Sequence, residues 1–307
     1  MADITRAEVS TLIEEEYSHT LLDAAEAAST VLAAFPIVNM GTKTVNLPVL
    51  ATLSEADWVS DTDNTGVKPT SQVTWANKTL VAEEIAVIIP IHENTLEDAT
   101  VDLVEQIAQD AGRAIAKKLD EAVLFGYAKP ITWTSLDLLA AAVAAGQTFE
   151  VVDGDANLDD LWGAIAQAAA AVAVAGYAPG TLLASLALRW QMANIRDADG
   201  NRAFAGESFA GFDTFFNRNG AWDVTAADAL IVDPSRVRIG VRQDITVKLL
   251  DQATLGTGES AINLAERDMV AFRFKARYAY VLGSGTTSLG VSKTPVAAVV
   301  PSDESGS

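Results

Sequence analysis

The chain has 307 residues, half of them apolar, with 21 basic residues against 41 acidic ones and a formal charge of −20. That length allows a sizeable core in one large or two modest domains, and the negative field disfavours nucleic acid and anionic membrane surfaces as direct partners. Cysteine is absent, which excludes disulfides and thiolate metal sites; the opening MADITRAEVS lacks a secretion signal's pattern, and no apolar run reaches transmembrane length.

The first 35 residues are rich in Glu and Ala and read as a mobile arm carrying short helices such as AEVSTLIEEEYS, residues 7–18. Two β-rich segments follow, TKTVNLPVL (42–50) and SQVTWANKTLVAEEIAVIIPI (71–91), separated by the polar, turn-rich ADWVSDTDNTGVKPT (56–70). The pattern predicts a long β-hairpin whose tip draws its order from a neighbour, because an isolated two-stranded ribbon is marginal in water.

Residues 92–126, HENTLEDATVDLVEQIAQDAGRAIAKKLDEAVLFG, predict one long helix. Leu96, Leu103, Ile107, Ala111, Ile115, Leu119 and Ala122 form a single apolar stripe; Asn94 with Glu97, or Thr95 with Asp98, serves as the cap, and Gly126 as the stop. At about 1.5 Å per residue it spans roughly 45 Å, and its narrow stripe marks a spine rather than a buried core element. Next come an Ala-rich helix over 158–176 capped by Asn157, a helix over 185–198 stopped by Gly200, and three short strands at 228–233, 236–241 and 244–251. The clearest strand is DMVAFRFKARYAYVL, 268–282, with Val270, Phe272, Phe274, Ala276, Tyr278, Tyr280 and Leu282 on one face and Arg273, Lys275 and Arg277 on the other. The ending SDESGS reads as a disordered tail.

Chemical motifs fail one by one. His92-Glu93 lacks its helical partner, since Leu96 stands where a zinc hydrolase needs histidine; DADGN (197–201) and VVDGDANLDD (151–160) miss the glycine and closing glutamate of a calcium loop. GESFAG (206–211) is one residue short of a nucleophile elbow, and GSGTTSLG (283–290) has no lysine for a phosphate loop. No catalytic, cofactor or metal site is expected. Arg273, Lys275 and Arg277 are a local anomaly in so acidic a chain, read as a solvated face or an intersubunit salt-bridge strip, with DNA contact a distant third reading.

In this order, with the strand running into ENTLEDATVDLVEQIAQDAGRAIAKKLDEAVLFG, the segment LRWQMANIRDADGNRAF (188–204) and the ending AERDMVAFRFKARYAYVLG (265–283), the sequence resembles the major capsid protein of tailed bacteriophages, whose Hong Kong-type shell fold is shared with encapsulins. The resemblance implies an α+β fold: an N-terminal arm (1–38), an extended hairpin loop (39–88), a peripheral domain with the spine helix (89–128 and 256–300), an axial α/β domain (129–255) and a tail (301–307). It implies hexamers and pentamers of an icosahedral shell, assembled in the host cytoplasm around double-stranded DNA without sequence-specific binding or any membrane. A portal and a separate scaffold protein are the implied partners, the latter because only about 35 residues precede the first strand region; a decoration protein is left open. Interface candidates are Trp58, Lys68 and Trp75 on the hairpin, Glu105 and Asp110 on the spine, and Arg273, Lys275 and Arg277 on the strand. Lys43, Lys68 and Lys78 flank or occupy the hairpin, but no acceptor asparagine is matched, so the crosslinking of some family shells is not carried over. The alternatives are an encapsulin-type compartment and, more remotely, an acidic α/β hydrolase.

Overall fold

The computed structural model describes residues 28–52, 70–71, 74–97, 103–151, 161–194, 211–256, 261–285 and 293–301. The expected arm before residue 28, most of the hairpin tip, Asn157, Gly200, the two acidic loops and the tail lie outside them. Mixed α and β structure is confirmed, organised around two sheets.

Strand β12 (Met269–Leu282) organises the first. Its alternation is realised in full: Val270, Phe272, Phe274, Ala276, Tyr278, Tyr280 and Leu282 are all buried in the main core. It lies between β9 (Val237–Leu250) and β4 (Glu83–His92), both antiparallel to it, and β1 (Ile37–Asn39) adds a parallel edge to β9. β4 alternates as strictly, with Ile85, Val87, Ile89 and Ile91 turned to the core. The expected strands at 236–241 and 244–251 are one. Between them β9 takes five steps, from Thr246 to Val241, where β12 takes three, from Lys275 to Tyr278, so the polar break is a bulge inside a continuous strand.

The expected spine is described over two stretches, Glu93–Glu97 and Leu103–Leu124. A short helix α2 (Glu93–Glu97) begins before Asn94 and Thr95, so neither caps it; instead the Glu93 amide donates to the Asp268 carbonyl at 3.0 Å. Residues 98–102 lie outside the described chain, and α3 (Leu103–Leu124) runs about 33 Å at 1.5 Å per residue. Its first turns are exposed on most sides, but from Ala108 onward the stripe widens to include Gly112, Ala116, Asp120, Val123 and Leu124, all buried. The second half is thus a core element, correcting the reading of a spine throughout. Small residues explain this, since Ala and Gly beside the stripe let neighbouring elements approach on two sides. Lys117 and Lys118 serve Glu121, at 3.9 and 3.0 Å, and no basic residue occupies the last turn. Gly126, at φ +72°, ends the segment as expected, and a Cβ there would come 2.6 Å from Asp137 Oδ1.

The second sheet has the order β5 (Thr148–Glu150), β13 (Val296–Val300), β8 (Ala229–Val232), β6 (Thr181–Ser185), β7 (Asp213–Asn217). It is buried on both sides. Leu230, Val232, Val296 and Ala298 enter the core shared with α3, α1 (Thr30–Ala34) and α4 (Leu138–Ala144), whereas Ala229, Ile231, Ala297 and Val299 enter a second core under α5 (Leu161–Val174). Helix α6 (Leu186–Asn194) follows β6 directly. β9, expected in the middle region, pairs with β12, and β13, expected with the peripheral portion, pairs with β5 and β8.

The predicted hairpin is β2 (Thr44–Thr52) paired with β3 (Thr74–Val81), from Thr44 opposite Val81 to Thr52 opposite Thr74. Its base is seated on the outer face of β12, where Leu80 and Ala82 pack with Met40, Ala279 and Val281. Trp133 Nε1 donates to the Val81 carbonyl at 2.9 Å, and Lys78 Nζ to the Leu282 carbonyl at 2.7 Å and Ser284 Oγ at 2.9 Å. Burial of that ammonium lowers its pKa. Beyond the base, Thr74, Trp75, Ala76 and Asn77 are exposed.

Candidate assembly interface

β12 is buried behind by its aromatic face and covered at one end in front by the hairpin base. What remains in front is the stretch carrying Arg273, Lys275 and Arg277. The register places Arg273 between Lys248 of β9 and Ile88 of β4, Lys275 beside Ala86, and Arg277 beside Glu84. Over this registered stretch four cations stand with one carboxylate, Glu84, whose Oε2 lies 3.6 Å from Lys275 Nζ and 3.3 Å from Arg277 Nη2. Both pairs are partly exposed, with Glu84 the more accessible member, and such solvent-screened pairs contribute about 0–1 kcal/mol. Arg273 Nε is buried without a hydrogen-bond partner among the described residues.

The sequence candidates fall into separate places. Arg273, Lys275 and Arg277 are together. Glu105 and Asp110 lie exposed on α3, on the side of the sheet opposite the cationic stretch, so no single subunit can join them to it. Glu105 accepts from Gln109 Nε2 at 3.4 Å, and Asp110 lines a cleft with Arg113, Lys117 and Arg218. Trp75 is 64% exposed on β3, whereas Trp58 and Lys68 lie outside the described residues. His92 ends β4 exposed, and among the described residues no cluster of three His, Cys, Asp or Glu could hold a metal. Nor is any described helix long and apolar enough to cross a membrane.

The sequence reading missed Lys248 and Glu84, which become visible only when three strands are registered. It also missed Asp120, a fully buried carboxylate on α3 that accepts from Ser29 Oγ at 2.6 Å, the Thr30 and Val31 amides at 2.9 and 3.2 Å, Asn217 Nδ2 at 3.3 Å and Asn219 Nδ2 at 2.8 Å. Burial raises its pKa, and the hydrogen bonds oppose that rise without reversing it. A charged residue immediately after Leu119 of the apolar stripe was the available signal. Exposed Trp190, Leu186, Ile131 and Val174 carry no periodic signature either.

A family model, that of the phage capsid family, matches residues 10–283. The chain belongs to the phage capsid family. Among solved structures, this capsid protein is 64% identical to a chain from Mycobacterium phage Adephagia, with a TM-score of 0.84 over 99% of this chain and 100% of that one. A chain from Mycobacterium phage Cain is 63% identical, with TM-score 0.83 and the same coverage, and one from Microbacterium phage Oxtober96 is 38% identical, with TM-score 0.80 over 90% and 91% of the two chains. The likeness to a chain titled capsid of an empty GTA particle, at 16% identity and TM-score 0.61, shows the fold alone. No curated protein matches. The chain is therefore a major capsid protein, a structural component of the virion that works as an oligomer in its shell.

Proposed function

We propose that the subunit forms hexamers and pentamers of an icosahedral head around packaged double-stranded DNA, in a purely structural role, and that the front of β12 is a contact between subunits. One observation carries this. Arg273, Lys275, Arg277 and Lys248 stand in register with one carboxylate, Glu84, which pairs only with Lys275 and Arg277 among the described residues, on a chain of charge −20, and the exposed acids Glu105 and Asp110 face the other way. The strip's remaining carboxylates come from a neighbouring copy, and repetition around a closed shell multiplies small pair energies. The exposed half of the hairpin with Trp75 reaches a second neighbour. The arm, peripheral and axial divisions carry over from the family resemblance, with β9 counted in the peripheral part and β13 in the axial part. A scaffold protein and a portal complete the assembly, and the acidic chain encloses DNA without reading its sequence.

The test is the triple variant Arg273→Glu, Lys275→Glu, Arg277→Glu, imaged by electron microscopy with wild type across a salt series. A folded subunit that assembles poorly, beside wild-type assembly that responds to salt, is expected. Normal shells that fail only at DNA packaging would place the strip against the genome instead.

A further inference from the structure

A second concentration of positive charge lies on the other side of the molecule. A cleft of about 610 Å³ is lined by Arg113, Ala114 and Lys117 on one wall of α3, by Arg218 and Asn219 after β7, and by Ala28. Among the described residues that line it are three cations and one carboxylate, Asp110. Among the described residues no carboxylate lies within 4 Å of Arg113 or Arg218, and Lys117 has only the exposed, 3.9 Å contact with Glu121. The cleft therefore has an excess of positive potential that the described residues do not neutralise.

Ala28 is where the described chain begins, and it is fixed to the rim, because Asn219 Nδ2 donates to its carbonyl at 2.9 Å while the next residues are bound by Asp120. The 27 residues before it carry seven acids, Asp3, Glu8, Glu14, Glu15, Glu16, Asp23 and Glu26, against one base, Arg6. Glu26 is two residues upstream of the rim and Asp23 five, so at most about 7 and 17 Å of extended chain separate them from it. We infer that this cleft is the docking site of the chain's own N-terminal arm, with Asp23 and Glu26 of the same subunit facing Arg113, Lys117 and Arg218. The arm is then held at two adjacent points, by hydrogen bonds at Asp120 and by charge in the cleft, and only the second is weakened by salt. This inference concerns the isolated subunit and does not depend on how shells assemble.

Zero-length coupling with a water-soluble carbodiimide tests it on full-length, unassembled subunits. The reagent joins a carboxylate to an amine it touches, taking up the water lost, and mass spectrometry identifies the amide. The expected product links Lys117 to Asp23 or Glu26. It should vanish in Lys117→Arg, which keeps the charge but removes the amine, and fall about tenfold in Arg113→Glu, Arg218→Glu, or in high salt. Mixing heavy- and light-isotope subunits before coupling should give only like-with-like pairs. Three results would each overturn the inference: Lys117 coupled to Glu121 and nothing in the arm, mixed-isotope pairs showing a neighbour's arm, or a yield indifferent to the charge reversals.

Discussion

Replacing Asp120 with alanine removes the acceptor of five donors at once: one serine hydroxyl, two backbone amides and two asparagine amides, all within 3.3 Å. Breaking a buried charged network by deleting one partner costs about 3–5 kcal/mol when the remaining groups stay buried. Here they have an escape, since α1 spans only Thr30–Ala34 and can lift away to rehydrate Ser29, Thr30 and Val31. That release reduces the expected loss to about 2–4 kcal/mol, within the range of broken buried networks. Asp120→Asn should cost less, about 1–3 kcal/mol, because one oxygen survives and the Ser29 hydroxyl can reverse its role. Urea denaturation of unassembled subunits gives the energies, and amide exchange at Thr30 and Val31 reports the release directly. The pH dependence has a definite sign. A carboxyl whose folded pKa is raised binds its proton more tightly when folded, so its contribution is full below the unfolded value of about 3.9 and declines as pH rises through the folded pKa. The gap between wild type and Asp120→Asn should therefore narrow from pH 4.5 to pH 7. A loss below 1 kcal/mol in Asp120→Ala, with Thr30 and Val31 still protected, would refute the assignment of Asp120 as the anchor of α1.

Gly240→Ala would set a Cβ 2.4 Å from Met40 Sδ and 2.9 Å from Ala279 Cβ; a loss of about 1–3 kcal/mol in thermal melting is expected, partly restored by adding Met40→Ala, which gives the new methyl room. Trp75→Ala should change subunit stability by no more than about 0.5 kcal/mol, since the ring is 64% exposed, yet lower the yield of shells in sedimentation. Tyr280→Phe removes the 2.9 Å bond to the Leu136 carbonyl and should cost about 1 kcal/mol. Because burial, and secondarily Asp137, holds that phenol's pKa well above 10, the wild-type ultraviolet titration should show one tyrosine silent until the protein unfolds in alkali.

What could be read from the residues followed from how each element is buried. β12 and β4 have one side in the core and one side in front, so their alternation is written plainly and their faces were legible, as was the cationic trio. The hairpin was legible from its polar tip. By contrast β6 and β13 are covered on both sides, and runs such as TLLAS and VAAVV carry no period from which to choose strand over helix. The division of β9 was suggested by a polar pair that the sheet absorbs as a bulge. The interface could be read only in part, because Lys248 and Glu84 come from strands far apart in sequence, and cross-strand register is not a local property. Asp120 escaped for a related reason: its partners Ser29, Thr30 and Asn219 are about 90 or more positions away.

The order of strands within the two sheets also governs how the molecule can be made. β12 sits between β9 and β4, and β13 between β5 and β8, yet these two are the latest strands in the described chain. During synthesis every earlier strand emerges with an open edge, and neither sheet can close until the segment from Met269 to Val300 has left the ribosome. The seat of the hairpin base and the cationic strip are both written on β12. A nascent chain thus lacks both the seat and the strip until β12 has emerged and paired with β9 and β4.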